Sequence, residues 1–431
     1  MASLVLVWIM GRRWFGRRVA ALGLALLSLS PVHVWYSREN KNNMLFLLLC
    51  TAAVWFYWKA MERRAPRDWI SATLCLILAL GTHDFALSVA CSIALWIGWR
   101  CWEEKRSIKP AFYSALAAGL VLTPVVLLMY VHGSKPGRGY LRPLTVAELY
   151  KFLFVWLPHG NTLRTVNPYA SFAQLAAQSW IYFLVDGFFA ALLIWGLINV
   201  YKTAAATGGI TREPSSSSSW VARLILLWLL LPLALTFTAS LVFKRFYIER
   251  SLLALLSPYV LVLALGACCR RRAFSLVATG LVLLLSAGSI WSLYRIKADN
   301  WTVYKPKPDW RSAMNYLGSE VKKDGSVLLI TTNPTNEVSY YGPRTIPGYL
   351  SSATAQSGFS TMDFCSDKPE RILQMIREKN RKSFHILWNE TWSGCFAGAR
   401  DAIGQDAGFR LSETHEWKRL TLYKYDIAGS R

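Results

Sequence analysis

The sequence predicts a polytopic α-helical membrane domain of about ten helices or part-helices, followed by a C-terminal α/β domain. Apolar runs long enough to cross a bilayer recur from residue 19 to residue 294, and 54% of the 431 residues are hydrophobic. Aromatic residues are abundant, with 20 Trp and 19 Tyr, and both types favour the bilayer–water boundary. After residue 294 the pattern changes to short β-rich runs alternating with amphipathic segments.

In chain order, residues 2–10 form an apolar stretch too short to cross, reading as the tail of a helix. No small-residue cleavage site follows it, so no signal peptide is assigned. The runs 19–35 and 44–58 read as spans. Runs 69–81 and 85–99 are short and meet at a polar tip, Thr82-His83-Asp84. Such a pair suits a cavity entering the membrane, where protein or water covers the backbone. A span over 112–131 leads into a long loop. Within it, "TVAELYKFLFVWL" reads as a helix capped by Thr145 and Glu148, expected to lie along the outer interface. Spans follow at 180–200, 224–243, 252–268 and 274–294, with a Ser-rich linker at 202–220. In the C-terminal part, 326–332, 383–388 and 419–427 read as strands, and 310–323 and 368–380 as amphipathic helices. The predicted domains are 1–294 and 295–431.

The net charge of +23 fits two readings, an anionic macromolecule or a membrane. The placement of the cations favours the membrane, and no nucleic-acid partner is predicted. Arg12, Arg13, Arg17 and Arg18 share one loop, and Lys59, Arg63, Arg64 and Arg67 another. The loops between them are poorer in Lys and Arg. The positive-inside rule makes the Arg-rich loops cytoplasmic. It makes 36–43, 81–85, the long loop, 244–250 and 295–431 exocytoplasmic.

The eight cysteines show no metal spacing. Cys50, Cys75, Cys91 and Cys101 read as small core residues. Cys365 and Cys395 are predicted to be bonded if their domain lies outside the cytoplasm. No cofactor is assigned and a divalent metal is left open, although His83 and Asp84 alone offer too few ligands for one.

Three stretches read together: "RRWFGRRVAALGLALLSLSPVHVWYSREN", "LGTHDFAL" and "FKRFYIERSLLALLSPYVLVLALG". In this order, before "KPDWRSAMNYL" and "LTLYKYD", the chain resembles the glycosyltransferase family 39 type of polyprenyl-phosphate-dependent glycosyltransferases. These belong to the GT-C superfold, with protein O-mannosyltransferases and aminoarabinose lipid A transferases as relatives. The resemblance implies transfer of a sugar from a polyprenyl-phosphate donor to an acceptor on the outer membrane face, in a bacterial inner membrane. It also implies an acidic base in the first outer loop, expected upstream of Met1. Without that loop the chain would be an inactive relative that binds lipid phosphate or acts as a scaffold. The family pattern Ser-x-Glu-x-Arg-x-Tyr here reads Ser37-Arg38-Glu39-Asn40-Lys41-Asn42-Asn43. Lys41 keeps the charge of the expected Arg but loses its planar fork.

The residues implied for substrate binding are Arg38, Lys41, His83, Lys244, Arg245, Tyr247 and Arg250. Glu39 and Asp84 are the weaker candidates for an acid or base. Each has a plainer reading. Arg38, Glu39 and Lys41 suit a solvated loop with a local ion pair, and His83 and Asp84 a wet turn. The 244–250 cations could pair with Glu249 or lipid headgroups. His33 reads as a hydrogen-bonded helix histidine. Asp186, inside a span, is either functional or hydrogen-bonded near Trp180 or Tyr182. Asp309, Trp310, Arg311, Tyr340 and Tyr341 suit capping and packing, and the sequons at Asn300 and Asn389 matter only in a secretory pathway.

Overall fold

The computed structural model describes residues 1–38, 42–132, 144–163, 180–205, 217–243, 249–268, 272–295, 309–324, 327–331, 359–363, 373–374, 376–377, 383–389, 403–417 and 420–427. It has two compact units, Met1–Tyr304 and Lys305–Arg431.

The first unit is helical. α1 (Ala2–Trp14) and α2 (Arg17–Ser28) form a tight hairpin. Gly16 makes the turn at φ 93°, a conformation open to glycine and costly for other residues. The apolar run 19–35, expected as one span, is broken. α2 ends at Ser28, and α3 (Pro31–Arg38) leaves at 54°. Pro31 supplies the reason, since it cannot donate the helical N–H and its ring displaces the preceding turn. His33 does hydrogen-bond within the bundle, its Nε2 lying 3.0 Å from Ser3 Oγ.

α4 (Asn43–Arg63) is a full span. The short pair follows as α5 (Pro66–Thr82) and α6 (Ala86–Glu103), joined by the His83–Phe85 turn. α7 (Lys109–His132) comes next. α8 (Val146–Tyr150) continues through a π-helical turn (Lys151–Trp156) into α9 (Leu157–His159). Thr145 caps it, its hydroxyl accepting from the Glu148 amide at 3.3 Å. This segment is packed into the bundle. Phe152, Val155, Trp156 and Leu157 are all buried. Tyr259 donates to the Leu153 carbonyl at 2.7 Å, and Thr162 to the Ser289 carbonyl at 3.0 Å. Aromatic residues on two faces let it wedge among neighbouring helices rather than rest one stripe on them.

α10 (Trp180–Ala205), α11 (Ser217–Phe243), α12 (Leu256–Ala267) and α13 (Arg272–Arg295) complete the bundle. A 3₁₀ stretch, Glu249–Leu255, leads into α12. Among the described residues, five helices are long and apolar enough to cross a membrane, or six if the bent α2–α3 pair is one span. The protein is therefore an integral membrane protein. α10 and α12 touch backbone to backbone. A Cβ at Gly196 would collide with the Val262 carbonyl, and one at Gly266 with the Leu192 carbonyl. Small residues that admit such approach are how membrane helices gain packing without a hydrophobic drive.

The second unit is a five-stranded sheet with helices. β1 (Val327–Thr331), β2 (Phe359–Asp363), β3 (Ser383–Asn389), β4 (Phe409–Trp417) and β5 (Leu420–Ile427) run in the order β2-β1-β3-β5-β4. β1 pairs in parallel with β2 and β3, while β5 is antiparallel to β3 and β4. α14 (Trp310–Asp324) covers one face, where Trp310, Met314 and Leu317 meet Leu329, Leu387 and Leu422. Phe384, Ile386, Phe409 and Tyr425 form the other core with Ile376 and Ile403. The alternation along β3 sends Ile386 to one core and Leu387 to the other. Of the predicted 368–380 helix, the described residues Leu373, Gln374, Ile376 and Arg377 are helical.

Candidate functional site

The N-terminus of α4 gathers the described site residues. Asn42, just before α4, donates from its side-chain amide to the Thr82 carbonyl at the end of α5. This bond ties the loop after α3 to the His83–Asp84 tip. The His83 ring stacks on Phe46 of α4, centroids 4.9 Å apart. His83 Nδ1 accepts the Phe85 amide at 3.2 Å, which fixes the ring against the start of α6. That bond leaves Nε2 as the ring position that carries a proton in the neutral form.

Arg250 reaches the same place from the 3₁₀ stretch. Burial lowers the pKa of His83 most; Asp84 opposes this, and the Arg250 cation adds to the lowering. An imidazole that feels both Asp84 and Arg250 puts the His83 tip and the start of the Glu249–Leu255 stretch within one electrostatic neighbourhood. α4 packs directly on the Glu249–Leu255 stretch, and Thr51 and Ser257 join α4 to α12 through hydroxyls 2.8 Å apart. Arg38, at the end of α3, holds its guanidinium 5.8 Å from the Tyr294 ring at the end of α13. Arg38 and Asp84 are exposed, while His83 and Arg250 are half-buried.

The fold thus brings Arg38, His83, Asp84 and Arg250 to one end of the bundle. Glu39, Lys41, Lys244, Arg245 and Tyr247 lie outside the described residues, as do Cys365, Cys395, Tyr340, Tyr341 and Asn300. Asn389 ends β3. Asp309 acts as a cap: its carboxylate accepts from the Ser312 amide at 3.2 Å and the Ser312 hydroxyl at 2.7 Å. Among the described residues no three His, Cys, Asp or Glu side chains come together as metal ligands.

A second polar group lies deeper. Tyr150 donates to Asp186 Oδ2 at 2.6 Å, and His159 Nε2 lies 3.6 Å from Oδ1. Asp186 is 3% exposed and His159 fully buried. The Tyr150 bond reaches Asp186 from the end of α8, beside the π-helical turn, a partner that spacing along the Trp180–Tyr182 segment does not suggest. This group backs onto the first site, because Trp156, one turn before His159, sits 6.4 Å from Tyr36 on α3. Tyr150, His159 and Tyr294 were not legible as site residues, since each looks like one more polar or aromatic residue in an apolar run.

The arrangement suits an anionic ligand at the bundle end. Arg38 and Arg250 supply positive charge where the surroundings are part apolar, and charge-assisted hydrogen bonds to phosphate are the strong kind. A neutral His83 can donate from Nε2.

Residues 1–130 match the family model described as dolichyl-phosphate-mannose-protein mannosyltransferase, the protein O-mannosyltransferase-like kind that the sequence motifs resemble. No curated protein matches the chain. Among solved structures, the chain is similar to ArnT from Cupriavidus metallidurans bound to undecaprenyl phosphate. The identity is 11%, the TM-score 0.46, and the match covers 99% of this chain and 82% of that one. It is also similar to the same protein in the apo state, at 10% identity and a TM-score of 0.39, over 98% of this chain and 81% of that one.

Proposed function

We propose that this integral membrane protein is a GT-C-type glycosyltransferase that takes a sugar from a polyprenyl-phosphate donor and passes it to an acceptor hydroxyl on the outer membrane face. The observation that carries the proposal is the family match over residues 1–130. That segment contains Arg38, His83 and Asp84, three of the residues gathered at the α4 end. The proposed membrane is a bacterial inner membrane, with residues 295–431 exocytoplasmic.

In this reading the acceptor oxygen attacks the anomeric carbon as the bond to the lipid phosphate breaks. Negative charge grows on the departing phosphate. Arg250 and Arg38, with Lys41, Lys244 and Arg245 on the adjoining loops, stabilise it, as fixed cations do where charge develops. Asp84 or Glu39 orients the acceptor hydroxyl and takes up its proton, provided it comes within hydrogen-bond reach. His83 and Tyr247 position the phosphate–sugar linkage. Arg250 matters most, because it alone among the described cations both reaches the His83 tip and is half-buried.

Binding tests the reading. Full-length protein in nanodiscs is titrated with undecaprenyl phosphate. The wild type binds, and Arg250→Ala weakens binding by about 1.5–3 kcal/mol, the range for charged hydrogen bonds. Equal affinity in a folded Arg250→Ala variant removes Arg250 from the site.

A further inference from the structure

At the opposite end of the bundle, α4, α5, α6 and α7 line an open-sided cavity of about 900 Å³. We propose that it binds an anionic glycerophospholipid of the leaflet facing the Arg-rich loops, with the headgroup phosphate between Arg64 and Lys105 and an acyl chain in the cavity.

The walls are apolar where a chain would lie: Trp69, Ile70, Leu74 and Ile77 come from α5, Tyr113 and Ala117 from α7. The rim is basic. Arg64 and Lys105 are exposed there, and among the described residues neither makes an ion pair. The other rim charges are engaged. Arg106 donates to the Met61 carbonyl at 2.8 Å and pairs with Glu104, whose carboxylate also holds Arg100 at 3.0 Å. Glu104 is the acid at the rim, and two arginines neutralise it. Arg64 and Lys105 are left to face a ligand.

Their backbone adds a second observation. Arg64 and Lys105 both sit at positive φ, 55° and 49°, each just past the end of a helix. Glycine is the residue that such positions favour. Here both carry long cationic side chains instead, on the rim of one cavity.

A second apolar cavity, of about 650 Å³, flanks the other side of α7 and meets the first at Tyr113. Its rim holds Lys109. Two apolar tracks beside one basic rim match the two chains and single phosphate of a glycerophospholipid. A lone polyprenyl chain would fill one track. The positive-inside rule places this rim in the cytoplasmic leaflet, where anionic headgroups attract such cations.

Glycine gives a clean test, because Arg64→Gly with Lys105→Gly removes both charges and relaxes both backbone positions. Full-length protein is equilibrated with equal phosphatidylglycerol, phosphatidylcholine and undecaprenyl phosphate, and retained lipid is read by native mass spectrometry. The wild type retains phosphatidylglycerol over phosphatidylcholine, by about fivefold per cation. The double variant loses that preference and melts no lower than the wild type. Photoactivatable phosphatidylglycerol on the wild type labels peptides containing Trp69 and Tyr113, which reads the site without any variant. Equal retention of the two phospholipids by the wild type, an unchanged preference in the double variant, or labelling confined to other helices overturns the proposal. So does an Arg64- and Lys105-dependent preference for undecaprenyl phosphate over phosphatidylglycerol.

Discussion

The Tyr150 hydroxyl donates to Asp186 Oδ2 at 2.6 Å, joining the π-containing helix between α7 and α10 to the interior of α10. A carboxylate 3% exposed in an apolar bundle is costly unless its oxygens are satisfied. Tyr150→Phe deletes the donor and keeps the ring. The expected loss is about 1–3 kcal/mol, the cost of stranding a buried polar group, read as a lower midpoint in thermal unfolding in detergent. Asp186→Leu combined with Tyr150→Phe recovers part of it, because the stranded carboxylate is then gone, with buried His159 the polar group that remains. A Tyr150→Phe midpoint equal to wild type contradicts the role assigned to this bond.

Arg100 is 1% exposed at the end of α6. It pairs with Glu62 at 2.9 Å and Glu104 at 3.0 Å, and its guanidinium lies 5.7 Å from the rings of Trp96 and Trp220. Removing one partner of a buried ion pair costs about 3–5 kcal/mol, and the loss here falls toward the lower end because Glu104 keeps Arg106 and both acids are partly exposed. Arg100→Ala is therefore expected to unfold the α6–α11 corner early, visible as proteolysis between α6 and α7. Wild-type protease resistance contradicts this.

Gly266→Ala puts a Cβ into the Leu192 carbonyl of α10. Overpacking a close contact costs about 1–3 kcal/mol, and two rigid backbones have little room to yield. The expected outcome is a lower melting midpoint, with Gly81→Ala, whose added Cβ meets nothing, as the matched control.

In the second unit, Glu413 has its pKa held down to about 2, first by the His415 hydrogen bond and then by Tyr316. The ordinary value is 4.5. A depressed carboxylate stabilises the folded state above its unfolded pKa, and that contribution fades as pH falls from 4.5 towards 2. The side chain is 44% exposed, so solvent screening keeps the effect small. Glu413→Gln is expected to flatten the dependence of domain stability on pH across that window, without changing it above pH 6. An unchanged slope between pH 4.5 and 2 contradicts the assignment.

The helices and the sequence of strands β1, β3 and β5 were readable because apolar length and β-rich alternation are local signals. Strands β2 and β4 were missed. β2, Phe-Ser-Thr-Met-Asp, is short and mixed in character, and β4 carries charges at Arg410, Glu413 and Glu416 that disguise an edge strand. The break at Pro31 was visible as a residue but not as a 54° bend, since a proline only permits a kink whose size packing sets. His83 and Arg250 were legible as polar residues interrupting apolar runs. Their proximity was not, because it depends on how α4 seats between the α5–α6 tip and the Glu249–Leu255 stretch. The Tyr150–Asp186 and Arg100–Glu62 pairings were hidden for the same reason: one partner of each sits far away in sequence.

Sugar release tests the central claim most directly. Full-length protein in proteoliposomes is given a panel of polyprenyl-phosphate donors carrying labelled hexoses or pentoses, with a membrane extract as acceptor source. The account predicts that one donor is consumed, with free polyprenyl phosphate appearing in step with labelled acceptor, and that Arg250→Ala lowers the rate at least tenfold while the protein stays folded. No donor turned over by folded wild-type protein that binds undecaprenyl phosphate, or full turnover by Arg250→Ala, would contradict it.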